Sequence, residues 1–211
     1  MKRIHTKSSL AILLSKLEGF SEPKVREEQY LMDSEVGASI LWNAYILGDI
    51  EGKVIADLGC GTGVLGIGAL VLGAKLVIFV DSDKKVLDTS RKNVLKIKSE
   101  GDSLGKPIFI CQDVRKLKLK PDVVLQNPPF GTKLRHYDLF FLEKALKIAP
   151  VVYSFHKSET KGFLRQFSAR INAEITHAWD FKFPLKATFA FHRRQIHRIN
   201  VSCLRFEKVF K

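Results

Sequence analysis

The chain has 211 residues, 45% of them apolar, so it can bury the core of one domain with a short N-terminal extension. Its three cysteines are odd in number and far apart, which argues against a disulfide framework, and no Cys/His group has zinc spacing, so we predict no bound metal. A net charge of +13 favours a polyanionic partner, nucleic acid first, although a lysine-rich surface kept for solubility or heat tolerance explains it equally well.

No segment has the pattern of a leader or a membrane span. The apolar run at residues 10–14 is shorter than a signal peptide requires. The apolar stretch 63–80 contains Lys75 and four glycines, which is typical of a buried helix followed by a buried strand. We therefore expect a cytoplasmic protein with no membrane partner.

Apolar spacing predicts the elements in chain order. Residues 8–17 and 34–47 have helical spacing. From there predicted strands alternate with predicted helices: strands at 53–58, 76–80, 108–111, 123–126 and 151–155, helices at 64–72, 84–99, 137–148 and 159–170, and two longer strands at 173–183 and 195–210. This alternation predicts an α/β fold, a mainly parallel, doubly wound sheet of seven strands, to which a hairpin of the last two strands adds an antiparallel edge.

A glycine loop, residues 59–63, separates the first predicted strand from the helix that follows. Gly59, Gly61 and Gly63 allow a sharp turn and close approach to a ligand, and the helix start offers free N–H groups. Asp57 stands directly before the loop, where an acid would repel phosphate but suit a cation. S-adenosylmethionine carries an ammonium and a sulfonium group, so it fits this loop better than NAD.

Two further acids follow the next two predicted strands. Asp81 stands where an acid meets the ribose hydroxyls of a bound nucleoside, while Asp83 is better placed to cap the next helix. Asp113 can accept a hydrogen bond from an adenine amino group, with the backbone N–H of Val114 beside it. A purely structural interpretation, in which the glycines make a tight turn and the acids are caps, is the alternative.

Asn127-Pro128-Pro129-Phe130 follows the fourth predicted strand, next to the first strand at the switch point of the sheet. The prolines stiffen the loop and remove N–H donors, so its local backbone offers acceptors only. The Asn127 side-chain oxygen and the Pro128 carbonyl can hold the two hydrogens of a planar NH₂ group, and Phe130 can stack on a base. We predict methyl transfer to such a nitrogen, most simply N6 of adenine; an ordinary Asn-Pro turn is the alternative.

Several longer motifs resemble a known family. They are Glu28-Gln29-Tyr30, Val54-Ile55-Ala56-Asp57-Leu58-Gly59-Cys60-Gly61, Gly63-Val64-Leu65, Asp81, Asp113-Val114, Asn127-Pro128-Pro129-Phe130-Gly131-Thr132-Lys133, Ser154-Phe155-His156-Lys157-Ser158 and Phe191-His192-Arg193-Arg194. With these the sequence resembles the class I S-adenosylmethionine-dependent methyltransferases, and among them the adenine-N6 methyltransferases of small-subunit ribosomal RNA. The resemblance covers nearly the whole chain after residue 26.

The resemblance implies roles for individual residues. The cofactor-binding set is Gln29, Asp57, Gly59, Cys60, Gly61, Thr62, Gly63, Val64, Asp81, Asp113 and Val114. Residues 1–33 form a helical extension and cofactor-lid segment, and residues 34–211 form the methyltransferase domain. The chain departs from the family at Met32, where a threonine is usual, which puts one hydroxyl contact to the cofactor in question; Ser34 is the substitute. Relatives imply a small zinc-binding activator subunit that adds to an exposed sheet edge.

Basic residues give the RNA-binding prediction. His192, Arg193 and Arg194 form a cluster suited to phosphate contacts, and Lys133 ends the extended tetrapeptide motif. His156 and Lys157 follow a predicted strand on the ligand side of the sheet, although a single histidine is more often structural.

Two other functions compete with RNA adenine methylation. A protein glutamine-N5 methyltransferase also presents a planar NH₂ group, but that family carries tyrosine at the position of Phe130 and a separate N-terminal helical domain. A non-catalytic RNA-binding subunit would have a broken glycine loop or tetrapeptide, and both are intact here.

Overall fold

A computed structural model describes residues 6–20, 32–99, 104–129, 137–185 and 197–209. The helices are α1 (Lys7–Ser15), α2 (Ser34–Ile46), α3 (Val64–Val71), α4 (Lys84–Ser99), α5 (Tyr137–Ile148) and α6 (Lys161–Arg170). The strands are β1 (Val54–Leu58), β2 (Leu76–Asp81), β3 (Lys106–Cys111), β4 (Val123–Gln126), β5 (Val151–Lys157), β6 (Ala173–Leu185) and β7 (His197–Lys208). Short 3₁₀ turns cover Val114–Lys116 and Ser158–Thr160.

The seven strands form one sheet in the order β3-β2-β1-β4-β5-β7-β6. The first five strands pair in parallel, and β7 is antiparallel to both β5 and β6. The prediction of a mainly parallel seven-stranded sheet with an antiparallel C-terminal strand is confirmed. The position of that strand corrects one detail: β7 lies inside the sheet, and the edge strand β6 runs in the same direction as β1–β5.

Helices cover both faces of the sheet because strand side chains alternate between them. Ile55, Phe79 and Tyr153 belong to the core under α1–α4, and their neighbours Ala56 and Val152 belong to the core under α5 and α6. This arrangement confirms the doubly wound architecture. Among the described residues, no helix combines the length and apolar character that crossing a membrane would require.

The helix starts follow local chemistry. Asp33 caps α2, because its carboxylate accepts the N–H groups of Glu35 and Val36. Asp83 accepts the N–H of Lys85 at 2.9 Å at the start of α4, as predicted. Strand β5 runs two residues longer than predicted because β7 pairs with it as far as Lys157.

Candidate active site

The carboxyl ends of β1, β2, β4 and β5 lie at one edge of the sheet because these strands are parallel and in register. The glycine loop leaves β1, Asp81 ends β2, and Asn127 follows β4. The strand β1 pairs with both β2 and β4. The glycine loop, Asp81 and Asn127 are far apart in sequence, but this pairing brings them together at the centre of that edge. This is where ligands bind in open parallel sheets.

The glycine loop is held in a conformation that favours glycine. Gly63 is the residue before α3, has φ +89°, and would carry any Cβ into the Ser90 hydroxyl. The N-cap residue Gly63 has no side chain to cap α3, so the N–H groups at the very start of the helix are directed toward the loop. The Cys60 N–H donates to the Val80 carbonyl at 3.0 Å, which ties the loop to β2 through the backbone.

Asp57 is buried beneath α3 instead of standing exposed to a ligand. Its carboxylate accepts the Gly66 N–H at 2.8 Å, inside the first turn of the helix. Burial raises the pKa of Asp57 to about 7, against the lowering effect of this hydrogen bond and with a further contribution from the charge of Asp81. Asp57 therefore joins β1 to α3, and its raised pKa favours the protonated form more than in an exposed aspartate.

Asp81 organises the loop directly. Its carboxylate accepts the N–H of Gly61 at 3.0 Å and that of Asp83 at 3.0 Å. Burial raises the pKa of Asp81, although these two N–H groups lower it. Two carboxylates with raised pKa values, Asp57 and Asp81, thus lie around the glycine loop. A cation bound nearby would lower both pKa values.

The end of the N-terminal segment packs against the same loop. A Cβ on Gly61 would lie 3.1 Å from the Phe20 ring. Asn93 of α4 is fully buried; it accepts the Glu18 N–H at 2.8 Å and donates to the carbonyls of Glu18 and Thr62, each at 3.0 Å. Sequence reasoning missed Asn93, since an asparagine inside a lysine-rich helix gives no signal of a contact 75 residues away.

Asn127 has a buried acceptor. Its side-chain oxygen Oδ1 is shielded from solvent and has no hydrogen-bond partner among the residues that the structure describes. The Oε1 atom of the preceding Gln126 is in the same state. An unsatisfied buried acceptor costs about 1–3 kcal/mol, so a ligand N–H donor would be bound favourably here. Pro128 is buried and Pro129 half-buried, which leaves carbonyls and no N–H groups along this short stretch.

Comparison with known proteins agrees with this geometry. Residues 34–150 match the methyltransferase small domain family. The chain belongs to that family. It is an S-adenosylmethionine-dependent methyltransferase with the class I fold.

Relatives cover nearly the whole methyltransferase. A Pyrococcus horikoshii protein, proposed to be an RNA methyltransferase, has a crystal structure that superposes with a TM-score of 0.89 at 45% identity, over 98% of this chain and 100% of that one. The rRNA N(6)-adenosine-methyltransferase METTL5 of Danio rerio is 34% identical over 92% of this chain and 94% of its own. An uncharacterised protein of Methanocaldococcus jannaschii is 34% identical over 96% of this chain and 94% of its own.

Asp113 of the methyltransferase lies two residues beyond β3, as predicted, but its carboxylate is engaged. It accepts the backbone N–H of Arg115 at 2.9 Å and pairs with the Arg115 guanidinium. The Arg115 hydrogen bond holds the pKa of Asp113 at about 2. Asp113 is thus a permanent anion, and an adenine amino group would compete with Arg115 for it. Val114 is buried beside it.

His156 contradicts one RNA-binding prediction. The methyltransferase buries this residue completely inside the sheet, where its ring contacts Ser154 and faces Asp138. It cannot touch RNA in this conformation, because alternation along β5 turns it into the core under α5. Lys157, one residue later, is partly exposed at the ligand edge.

Some predicted site residues lie outside the described part of the methyltransferase: Gln29, Phe130, Lys133, His192, Arg193 and Arg194. Met32, where the family usually has threonine, is buried and packs near Gly37 and Val64. The side chain therefore extends the core instead of offering a polar contact. In the described residues no group of three or more His, Cys, Asp or Glu side chains is arranged to hold a metal ion.

Proposed function

We propose that this methyltransferase transfers the methyl group of S-adenosylmethionine to N6 of an adenosine in small-subunit ribosomal RNA. The relative from Danio rerio carries that rRNA adenosine activity in its name and aligns over almost the entire chain. A net charge of +13 suits an RNA substrate. An rRNA substrate also agrees with the cytoplasmic setting expected from the sequence.

The observation that carries the proposal is the buried oxygen of Asn127. An exocyclic amino group is a poor nucleophile because its lone pair is delocalised into the ring. Asn127 Oδ1 accepts one of its hydrogens and the Pro128 carbonyl the other, which holds the nitrogen in line with the methyl group. The nitrogen–methyl bond would form as the sulfonium–methyl bond breaks, S-adenosylhomocysteine would leave, and the methylated nitrogen would release one proton to solvent. No strong base is required, since positioning and electrostatics supply the rate enhancement. Phe130 stacks on the target base, which has to be unstacked first.

The glycine loop is the proposed cofactor site. The uncapped start of α3, with Gly63 and Val64, receives the carboxylate of the methionine part, and Asp81 meets the ribose hydroxyls. Bound S-adenosylmethionine supplies an electrophilic methyl group and a positive charge near two carboxylates whose pKa values are raised. Asp113 and Val114 are the proposed adenine contacts.

Residues 1–33 are the proposed cofactor lid, and residues 34–211 the catalytic domain. Two contacts support the division: Phe20 lies against Gly61, and Met32 lies against Gly37 of α2, on the side where Val64 also packs. Gln29 belongs to the segment between Phe20 and Met32, which lies outside the described part of the chain.

RNA contacts are proposed for Lys133, Lys157 and the cluster His192, Arg193 and Arg194. Lys157 ends β5, at the edge of the sheet where Asn127 also lies. The β6–β7 connection, which carries the basic cluster, starts and ends at that same edge, because Leu185 pairs with His197 there. These cations would bind phosphates around the catalytic edge.

A small zinc-binding activator that adds a strand to β3 is the proposed protein partner. The sheet ends in β3 and β6. Four apolar residues of β3, Pro107–Ile110, are half-exposed, whereas β6 exposes charges at Glu174, Asp180 and Lys182, which discourage strand addition. The variant I110K should abolish activation and binding of the activator, and A178K on β6 should leave both intact. If both variants lose activation and activator binding equally, or if neither loses them, the partner binds elsewhere.

The activity is tested by nucleoside mass spectrometry of unmethylated small-subunit rRNA incubated with the protein and S-adenosylmethionine, with and without the activator. N6-methyladenosine should appear with wild type and fall at least about 100-fold with N127A, because the variant lacks the oxygen that accepts a hydrogen bond from the amino group. N43A is the matched control, because the Asn43 amide bonds only within α2, to the Ser39 carbonyl. Cofactor binding without any methylated nucleoside would refute the proposal and favour a protein glutamine substrate.

A further inference from the structure

A chain of buried polar side chains runs behind the tetrapeptide, on the α5 face of the sheet. Gln126 Nε2 donates to Ser154 Oγ at 2.9 Å, and Ser154 Oγ lies 2.7 Å from His156 Nε2. His156 Nδ1 faces Asp138 Oδ2 at 3.5 Å, which is within ion-pair distance but lacks the geometry of a hydrogen bond, so this contact is electrostatic. We call these four residues, Asp138, His156, Ser154 and Gln126, the buried polar chain.

Burying the polar side chains of this chain costs free energy, which suggests that their geometry serves a purpose. Gln126, Ser154 and His156 are completely buried, beside apolar neighbours such as Val124 and Val152. Hydrogen bonds offset the cost of burying polar groups and fix their orientation, and two of them link Gln126 to Ser154 and Ser154 to His156. Gln126 Oε1 and His156 Nδ1 have no hydrogen-bond partner among the described residues. Aliphatic side chains would fill the same face of a sheet without that cost.

The contacts along the chain allow one consistent set of donors and acceptors. Ser154 Oγ accepts the Gln126 amide and has its own hydrogen available for His156 Nε2. In that tautomer the ring proton is on Nδ1, on the side of Asp138. Burial raises the pKa of Asp138, but His156 and nearby backbone N–H groups outweigh it, and the net shift is downward. Asp138 is therefore an anion that holds the ring in place.

The two ends of the buried polar chain are the two ends of the catalytic loop. Gln126 is the last residue of β4 and directly precedes Asn127, while Asp138 lies in the first turn of α5, where the loop ends. Both are held by side chains that β5 presents on one face, at positions two residues apart. Ser154 and His156 thus fasten the start and the end of the segment that bears the tetrapeptide.

We propose that Ser154 and His156 are positioning residues for methyl transfer, which clamp both ends of the Asn127 loop and so set where its acceptors lie. This rests on the proposed function of that loop. It also gives the Ser154-Phe155-His156 motif a role that RNA contact cannot, because neither polar side chain reaches solvent. Misplacement of a catalytic group by about 1 Å can lower a rate about 100-fold.

The first test compares S154A, H156F, the double variant and H156Q by transfer of labelled methyl groups into total rRNA, whichever nucleoside accepts them. Each single variant should lower kcat about tenfold with the Kd of S-adenosylmethionine changed less than about twofold, and the double variant should be no worse than either. H156Q, which keeps an acceptor toward Ser154, should recover most of the rate. S168A is the control, because the Ser168 hydroxyl is equally buried but bonds only within α6.

The second test is independent of activity. Amide hydrogen exchange in peptides covering residues 123–127 and 137–142, the end of β4 and the start of α5, should accelerate about tenfold in S154A and H156F and stay unchanged in S168A. Multiplicative losses of kcat, or unchanged exchange in these peptides, would overturn the clamp. If wild type transfers methyl groups to another nucleoside, the adenine assignment fails while both tests of the clamp still apply. If the wild-type protein transfers no methyl groups, the hydrogen-exchange measurement alone decides whether Ser154 and His156 clamp the loop.

Discussion

Asn93 of α4 donates a hydrogen bond to the carbonyl of Thr62, 3.0 Å away, from behind the glycine loop. The same amide exchanges two hydrogen bonds with Glu18, so one buried side chain joins the loop to the N-terminal segment. The helix α4 thus fixes the loop and the proposed lid relative to each other.

The variant N93L should weaken S-adenosylmethionine binding about tenfold, because three hydrogen bonds at about 0.5–1.5 kcal/mol each are lost beside the cofactor loop. Isothermal titration of the cofactor measures the change. N43L is the control, since the Asn43 amide stays within α2. Equal affinities for wild type and N93L would mean that the loop keeps its shape without Asn93.

Local patterns predicted most of the fold and of the catalytic edge. Period and spacing located α4, β4 and α5 at their observed residues, and the alternation of strands and helices predicted the mainly parallel, doubly wound sheet. Glycines before a helix and a proline-stiffened turn are local signals, so the loop and Asn127 were predictable. The insertion of β7 between β5 and β6 depends on pairing across the whole chain, which no local pattern encodes.

Long-range polar contacts could not be predicted in the same way. The predicted strand ends at residue 155, with His156 beyond it, but pairing with β7 extends β5 as far as Lys157 and places His156 inside the sheet, where it is buried. Asp57 looked like a ligand for a cation, but the first turn of α3 lies over it and takes its carboxylate. In each case the side chain has a plausible local role, and a neighbour distant in sequence changes that role.

Asp57 should make stability depend on pH. Its folded pKa of about 7 is above its unfolded value of 3.8, so its contribution is greatest below pH 3.8 and is lost as pH rises through about 7. D57N keeps an acceptor for the Gly66 N–H without the charge. Between pH 4.5 and 7.5 the variant should gain about 2–4 kcal/mol relative to wild type.

Urea unfolding at several pH values measures this difference. Comparing the two proteins at each pH cancels the carboxylates whose pKa values are lowered, such as Asp113 and Asp180, because both proteins share them. A constant gap between wild type and D57N across this range would show that Asp57 ionises normally.

Alanine substitutions at Gly63 and Gly52 distinguish the cost of backbone strain from the cost of steric overlap. Both have positive φ, +89° and +72°, but a Cβ on Gly63 would overlap Ser90, whereas nothing lies within 4 Å of one on Gly52. G52A should cost about 1 kcal/mol of unfolding free energy from backbone strain alone. G63A should cost about 3 kcal/mol and abolish cofactor binding, because overpacking adds to the strain.

Thermal unfolding and cofactor titration of both alanine variants check this pair. If G63A destabilises no more than G52A, the Ser90 side chain moves aside without cost. If G63A is unstable yet binds S-adenosylmethionine normally, the loop geometry at Gly63 serves folding and not the cofactor.

Arg205 of β7 anchors the C-terminal hairpin to the parallel sheet through a buried ion pair. Its Nε donates to Asp49 at 2.8 Å, and the Tyr153 hydroxyl donates to the same carboxylate at 2.6 Å. R205M should destabilise the protein by about 3–5 kcal/mol, because it leaves the charge of Asp49 buried without its partner. D49N/R205M should recover part of that loss, since the isolated charge is then removed.

Urea unfolding measures both variants, with K147A as the control. Lys147 pairs with Glu143 on the exposed surface of α5, where an ion pair contributes about 0–1 kcal/mol. Affinity for S-adenosylmethionine should stay unchanged in all three, because Asp49 and Arg205 bind each other and not the glycine loop. If R205M is no less stable than K147A, the register of β7 depends on its apolar contacts with β5, and the buried pair is incidental to it.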